Sequence, residues 1–118
     1  MSCPVIQWQI LSRNPERTAD FYSGLFGWQV RSDNPLGYRQ VDTGDGRGFT
    51  GGIWPSPPEG HDLVQLFVQV DAVEDTVATA QRLGAQVVVP PQVLPDGAEM
   101  AILVDPQGLP FGIVKPKR

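Results

Sequence analysis

The stretch DFYSGLFGW, residues 20–28, predicts the point where a helix ends and the next strand begins. Tyr22, Leu25 and Phe26 have the i, i+3, i+4 spacing of a single helix face, so we expect all three to be largely buried. Gly27 follows the last apolar residue, where helices commonly end in a left-handed conformation. Residues 28–30 then read as the start of a strand. The stretch therefore predicts a helix–strand corner filled by aromatic side chains.

The second half of the chain repeats this pattern. Leu83-Gly-Ala-Gln-Val87 matches Phe26-Gly-Trp-Gln-Val30, and the two glycines are 57 residues apart, about half of the chain. A repeat of this length indicates an internal duplication. We therefore predict one domain over residues 1–118, with a first module of about 1–60 and a second of about 61–118. The predicted fold is α+β, with two βαβββ modules whose curved mixed sheets surround a shared groove.

The predicted elements follow from periodicity and from capping residues. The first module has a strand over Pro4–Leu11, a helix from the N-cap Asn14 to about Leu25, and strands over Trp28–Ser32, Tyr38–Asp42 and Phe49–Trp54, with a turn over 33–37. The second module has a strand over Leu63–Val70, a helix that opens with a capping box at Asp71–Glu74 and stops at Gly84, and strands over Ala85–Val89, Ala98–Val104 and Pro110–Val114.

Because side chains alternate between the two faces of a strand, the sequence predicts which residues share a face in the first strand of each module. Ile6, Trp8 and Ile10 are suited to pack against a helix, which makes Trp8 structural. The opposite sets are semi-polar, as expected of a sheet face that lines a wet cavity. Those sets are Val5, Gln7, Gln9 and Leu11 in the first module, and Leu63, Gln65, Phe67 and Gln69 in the second.

Composition excludes several classes of function. A formal net charge of −4 and a pI near 4.7 argue against nucleic-acid binding, which requires a basic face. No apolar run approaches the ~20 residues of a membrane span, and the N-terminus lacks the pattern of a signal peptide. The single cysteine, Cys3, excludes an internal disulfide. We therefore expect a cytoplasmic protein without nucleic-acid or membrane partners.

Two motifs, in this order and at this spacing, carry a family resemblance. They are Phe21-Tyr22 with Leu25-Phe-Gly-Trp28, and Asp105-Pro-Gln-Gly108 with Phe111-Gly-Ile113. The chain resembles, over essentially its whole length, the vicinal oxygen chelate superfamily, which includes glyoxalase I, the bleomycin-resistance proteins and the extradiol dioxygenases. It is most similar to small glyoxalase-like proteins that carry a tryptophan in the first strand, here Trp8.

The resemblance implies where a divalent metal would be bound. Enzymes of this superfamily hold the ion with His, Glu or Gln from the first and last strands of each half. The matching positions here are Gln7, Gln65, Gly112, and Gly51 or Gly52. Two neutral amides without a carboxylate give a divalent ion no charge compensation. We therefore predict that the chain uses no metal and no other cofactor.

The same resemblance, to the bleomycin-resistance proteins, implies that the groove binds and sequesters a small, partly apolar molecule. The candidate ligand-binding residues are Gln7, Gln9, Gln65, Phe67 and Gln69. No catalytic residue can be assigned from the sequence. One alternative is a metal-dependent lyase, isomerase or dioxygenase of glyoxalase type, and another is an interaction module whose groove is filled by its own side chains or by a partner. We also expect a homodimer, with a contact surface formed by Trp54, Pro55, Pro57 and Pro58.

The sequence leaves two alternative roles open for each of three further residues. His61 shares strand parity with Gln65, so it is either a general base at the mouth of the groove or a solvated side chain. Glu99 is either a carboxylate in the cavity or a charge on an edge strand that discourages aggregation. Trp54 either stacks on a ligand or partner or is structural, as Trp28 is expected to be.

Overall fold

The computed structural model describes residues 2–34, 38–44, 50–56 and 61–117. These residues form two helices and eight strands in the order β-α-β-β-β, repeated once, which confirms the predicted α+β fold. The first repeat consists of β1 (Val5–Ser12), α1 (Pro15–Phe26), β2 (Gln29–Arg31), β3 (Arg39–Asp42) and β4 (Gly51–Pro55). The second consists of β5 (Leu63–Gln69), α2 (Val73–Arg82), β6 (Gln86–Val93), β7 (Glu99–Val104) and β8 (Pro110–Lys115).

Contacts between residues divide the chain into two compact units. We call Ile6–Gln65 the first unit, and Leu66–Arg118 together with Met1–Val5 the second unit. Neither described helix is long and apolar enough to cross a bilayer.

The sheet of the first unit has the strand order β2-β3-β4-β1. β1 and β4 are parallel, with Ile10 opposite Ile53, whereas β3 is antiparallel to both of its neighbours. Ala19 of α1 is buried against Val41 and Ile53, and Trp8 and Ile10 pack against this core with Trp28 and Val30. The predicted helix-facing side of β1 is therefore confirmed, as are the structural roles of Trp8 and Trp28.

The second unit repeats this arrangement, with the order β5-β8-β7-β6 and a parallel β5–β8 pair. The buried core consists of Val70, Val73, Val77, Ala101, Leu103 and Ile113. Glu99 lies opposite Lys115 on β7, a strand that is paired on both sides, so its interpretation as an edge-strand charge is wrong. Its strand parity places it on the face of Ala101 and Leu103, which packs against α2.

The two helices begin differently. Asn14 caps α1, because its side-chain oxygen accepts a hydrogen bond from Arg17 N at 3.1 Å, and Gly27 ends the helix in the left-handed conformation at φ 73°, both as predicted. The capping box predicted at Asp71 is wrong. The N-cap of α2 is Ala72, whose extended backbone leads directly into the helix without a side-chain cap. Leu83 follows the end of α2 and is exposed.

The helix–strand corner is not buried, which corrects the first prediction from the sequence. Leu25 is 59% exposed and Phe26 57% exposed, while Tyr22 is half-buried. Ala19 is the buried residue of α1, and Thr18, Tyr22 and Ser23 beside it are half-buried. The aromatic rings pack on one another at the surface, with Tyr22 stacked on Trp28 at a centroid distance of 5.5 Å. The spacing of Tyr22, Leu25 and Phe26 correctly predicts that they share one side of α1, but this is not the side of the helix that packs on the sheet.

Candidate functional site

The candidate site lies on the face of the first-unit sheet opposite α1. Alternation along β1 puts Gln7 and Gln9 on this face, and alternation along β4 adds Gly52 and Trp54. Tyr38, immediately before β3, completes the group. Tyr38, Gln7 and Trp54 are half-buried and Gln9 is buried.

The hydroxyl of Tyr38 is the centre of a polar network. Gln7 Nε2 donates a hydrogen bond to it, the side chain of Gln9 bonds to it as well, and the hydroxyl lies 3.4 Å from the carbonyl oxygen of Gly51, to which it can donate. Burial raises the pKa of Tyr38 to about 12, although the hydrogen bonds with Gln9 and Gln7 act in the opposite direction. The phenol is therefore neutral at physiological pH and keeps its proton.

Two contacts hold the Tyr38 ring in place. Asn34 clamps the backbone of Tyr38, because Asn34 Nδ2 donates to Tyr38 O at 2.7 Å and Tyr38 N donates to Asn34 Oδ1 at 3.1 Å. The ring then stacks on the indole of Trp54, with centroids 4.7 Å apart and an interplanar angle of 24°. The result is an aromatic pair with amide groups at its polar edge.

Gly52 makes this position of the ring possible. A Cβ atom at residue 52 would lie 2.0 Å from the nearest carbon of the Tyr38 ring. Any side chain here would displace the tyrosine. The ring therefore occupies the space above β4 that a side chain would otherwise take.

The second unit has the same arrangement with different residues. Phe67 on β5 lies opposite Gly112 on β8, and a Cβ at residue 112 would lie 2.4 Å from the phenyl ring. Phe67 is 4% exposed, so its ring fills this space and offers little surface of its own. Gly52 lies opposite Gln9 in the β1–β4 pair, and Gly112 lies opposite Phe67 in the β5–β8 pair. The two glycines therefore hold equivalent positions in the two units.

These positions do not fit the divalent metal that the superfamily implies. Gly52 and Gly112 supply no donor atom, and aromatic rings fill the space in which a ligating side chain would lie. The Gln7 amide nitrogen is bonded to Tyr38. No group of three His, Cys, Asp or Glu side chains that could hold a metal ion is found among residues 2–34, 38–44, 50–56 and 61–117. The donor set lacks the anionic oxygen or imidazole nitrogen that such an ion requires.

The five predicted ligand-binding residues fall into two groups. Gln7 and Gln9 meet at Tyr38, whereas Gln65, Phe67 and Gln69 lie along β5. Gln65 is 5% exposed, and its Oε1 atom has no hydrogen-bond partner. Most buried acceptors in folded proteins receive a hydrogen bond, so Gln65 Oε1 is a position to which a ligand or a water molecule can donate.

Sequence reasoning missed Tyr38 and Asn34. The signal for Tyr38 was the Gly51-Gly52 pair inside a strand, because glycine in a strand marks a place where another group approaches closely. His61 is exposed and so is Cys3. Pro57 and Pro58, part of the predicted dimer surface, lie outside the described residues, while Pro55 is exposed.

Comparison with known proteins identifies the family of this chain. The family described as "Glyoxalase-like domain" matches residues 7–114. A protein named "Putative glyoxylase CFP32", from Mycobacterium tuberculosis and from Mycobacterium bovis, is 30% identical over 112 residues, which cover 92% of this chain and 42% of the relative. The chain thus spans less than half the length of these relatives.

Solved structures show the same fold at lower identity. A Streptomyces coelicolor methylmalonyl-CoA epimerase in complex with 2-nitronate-propionyl-CoA is 16% identical, with a TM-score of 0.64 over 99% of this chain and 100% of that one. An NAD-dependent benzaldehyde dehydrogenase from Legionella pneumophila is 20% identical, with a TM-score of 0.67 over 94% and 98%. The match over residues 7–114 shows that this chain belongs to the glyoxalase-like domain family of the vicinal oxygen chelate superfamily.

Proposed function

We propose that this protein binds a small, uncharged, partly aromatic molecule on the sheet face that carries Tyr38, and that it does so without a divalent metal. The observation that carries the proposal is the neutral Tyr38 hydroxyl, held between the side chains of Gln7 and Gln9 beside a stacked Tyr38–Trp54 pair. A planar ring can extend this stack, and the amides can bond to polar groups at its edge.

The chemistry of the polar groups supports an uncharged ligand. Gln7, Gln9 and Tyr38 are neutral, and each both donates and accepts hydrogen bonds. A charged ligand group placed among them would lose its hydration without gaining a counter-charge. A carboxamide, lactam or phenol would instead exchange hydrogen bonds with water for hydrogen bonds with the protein.

Gln65 provides a second, independent reason to expect a ligand. Leaving a buried amide oxygen without a donor costs ~1–3 kcal/mol, and a ligand N–H or O–H group would remove that cost. Gln69, on the same strand, is half-buried and is the further polar anchor predicted from the sequence. We therefore include β5 in the tests below.

The alternative activity, metal-dependent catalysis of glyoxalase type, has the support of the family and of the relatives' names. It requires ligands that Gly52 and Gly112 do not supply. Sequestration without chemistry, as in the bleomycin-resistance proteins that the sequence resembles, fits the donor set of this chain better.

The test is a thermal-shift screen of uncharged aromatic amides, lactams and phenols, followed by titration of each binder by calorimetry. Gln7→Leu and Gln65→Leu are titrated beside the parent protein. Each variant loses at least one hydrogen bond, so we expect binding to weaken by at least ~1 kcal/mol, which is about fivefold in Kd.

Gln81→Leu is the matched control, since Gln81 is an exposed glutamine on α2 and is not among the residues of the proposed site. It should bind as the parent does. If binders are found and both Gln7→Leu and Gln65→Leu bind them as tightly as the parent, neither glutamine lies at the site and the assignment is wrong.

A further inference from the structure

A groove in the first unit, separate from the Tyr38 face, has the features of a second ligand site. It lies between the N-terminal half of α1 and the start of β5 and has a volume of about 540 Å³, within the ~300–1,000 Å³ range of small-molecule sites. Its lining includes Ile10, Phe21, Tyr22, Leu63 and Val64 as the apolar part, and Ser12, Arg13, Asn14, Arg17, Thr18 and Asp62 as the polar part.

The apolar part of the groove faces solvent to an unusual degree. Phe21 is 60% exposed and Val64 66% exposed, although both are large apolar side chains. Phe21 packs edge-on against Tyr22 at a centroid distance of 5.0 Å, so its ring is supported on one side and open on the other. An apolar ligand that covers these two side chains removes their surface from water, which stabilises the complex.

The polar end of the groove carries an unbalanced positive charge. The Asp62 carboxylate accepts hydrogen bonds from Arg13 N at 3.0 Å and from Ser56 Oγ at 3.2 Å, and lies 3.6 Å from Arg13 Nε. Arg13 and Asp62 therefore offset each other. The Arg17 guanidinium, in the first turn of α1, forms no ion pair with any residue that the structure describes. The three charged side chains of the lining thus sum to one positive charge.

The hydroxyl groups on the floor of the groove are already partnered. Ser12 Oγ lies 2.7 Å from Thr18 Oγ1 and accepts a hydrogen bond from Asn14 N at 3.0 Å. These bonds join the end of β1 to the first turn of α1 and leave neither hydroxyl without a partner. A ligand would therefore find its charge partner at Arg17 and its apolar contact at Phe21 and Val64.

From this geometry we infer that the groove binds an amphipathic monoanion, a carboxylate carried on an aryl or alkyl chain. The carboxylate lies at Arg17, where two oxygens match the fork of the guanidinium, and the chain lies along Phe21 and Val64. This site does not depend on the Tyr38 face, since the two share no residue.

Three probes test the inference, which share a phenyl group on a four-carbon chain and differ in the charge of the terminal group: 4-phenylbutyrate, the neutral 4-phenylbutyramide and the cationic 4-phenylbutylamine. Binding is followed by NMR chemical-shift titration of the intact protein at low ionic strength. We expect the butyrate to bind at least fivefold more tightly than the amide, with shifts centred on Phe21 and Val64, and the amine to bind most weakly. Added salt should reduce the preference for the anion.

Two variants and one control separate the contributions. Arg17→Gln should abolish the preference of the butyrate over the amide and leave binding of the amide unchanged, whereas Phe21→Ser should weaken both probes. Arg31→Gln removes an exposed arginine on β2 and should change neither. Equal binding of butyrate and amide by the parent overturns the inference, as does the same loss in Arg31→Gln. Shifts centred on Tyr38, or a second copy of the chain covering Phe21 in solution, also overturn it.

Discussion

The phenyl ring of Phe67 occupies the space in which a side chain at Gly112 would have to lie, because a Cβ atom there would come within 2.4 Å of the ring. The resemblance to metal enzymes implies a metal ligand at this position. Gly112 supplies no donor atom, and a side chain of the neighbouring strand fills the space above it. The same holds for Tyr38 over Gly52 in the first unit.

This contact predicts coupling between the two residues. Gly112→Ala should lower the free energy of unfolding by ~1–3 kcal/mol, the usual cost of overpacking a filled site. In a Phe67→Leu background the smaller side chain leaves room for the methyl group, so the same substitution should cost clearly less. Urea denaturation of the four proteins in this double-mutant cycle measures the difference. Strictly additive effects would contradict the contact.

The raised pKa of Tyr38 predicts a specific dependence of stability on pH. Between pH 10 and about 12 the unfolded chain loses the tyrosine proton while the folded protein retains it, so the unfolded state binds fewer protons. The free energy of unfolding contributed by this group must therefore fall as the pH rises through this range. Tyr38→Phe removes the contribution, and the other titrating groups cancel in the comparison.

Denaturation of the parent and of Tyr38→Phe at pH 9.5, 10.5 and 11.5 provides the measurement. The stability advantage of the parent over the variant should shrink steadily across these pH values. An advantage that stays constant would show that Tyr38 ionises at its ordinary pKa.

The exposure of the α1 end changes the expected cost of truncating Phe26. A buried aromatic would cost ~3–5 kcal/mol, but Phe26 is 57% exposed and contacts mainly Tyr22 and Trp28. We expect Phe26→Ala to cost about 1 kcal/mol. Leu103→Ala, which truncates a fully buried side chain in the second-unit core, serves as the reference and should cost ~2–5 kcal/mol. Similar values for the two variants would contradict the exposure of Phe26.

The homodimer expected from the sequence stays a prediction, with Trp54 and Pro55 in its contact surface. Pro55 is exposed at the end of β4, beside the half-buried Trp54. Sedimentation or light scattering across micromolar concentrations should give twice the mass of the chain, and Pro55→Glu should shift the protein toward monomer. Leu109→Glu alters an exposed residue in another part of the chain and should have no effect. A parent protein that is monomeric throughout this range would rule out the dimer.

Local periodicity was enough to predict the fold, because each strand and helix has a pattern of its own. The duplication was visible at Gly27 and Gly84, and alternation placed Gln7 and Gln9 on the correct side of β1. The Gly51-Gly52 pair indicates that another group approaches β4 closely, but it does not identify Tyr38 as that group. The position of Tyr38 depends on its hydrogen bonds with the Asn34 side chain and on the register of β3 with β4. Sequence spacing also does not determine which stripe of α1 lies on the sheet, so Phe26 was misplaced.

The central claim is that the Tyr38 face binds its ligand without a metal, and calorimetric titration of one screened binder under two conditions tests it most directly. The parent protein is titrated once in EDTA and once with excess Zn²⁺ or Mn²⁺ after removal of the chelator. Because Gly52 and Gly112 supply no metal ligand, we predict the same Kd within twofold in both titrations, and at least a fivefold weaker Kd for Gln7→Leu in each. Binding that appears only when the divalent ion is present would contradict the claim.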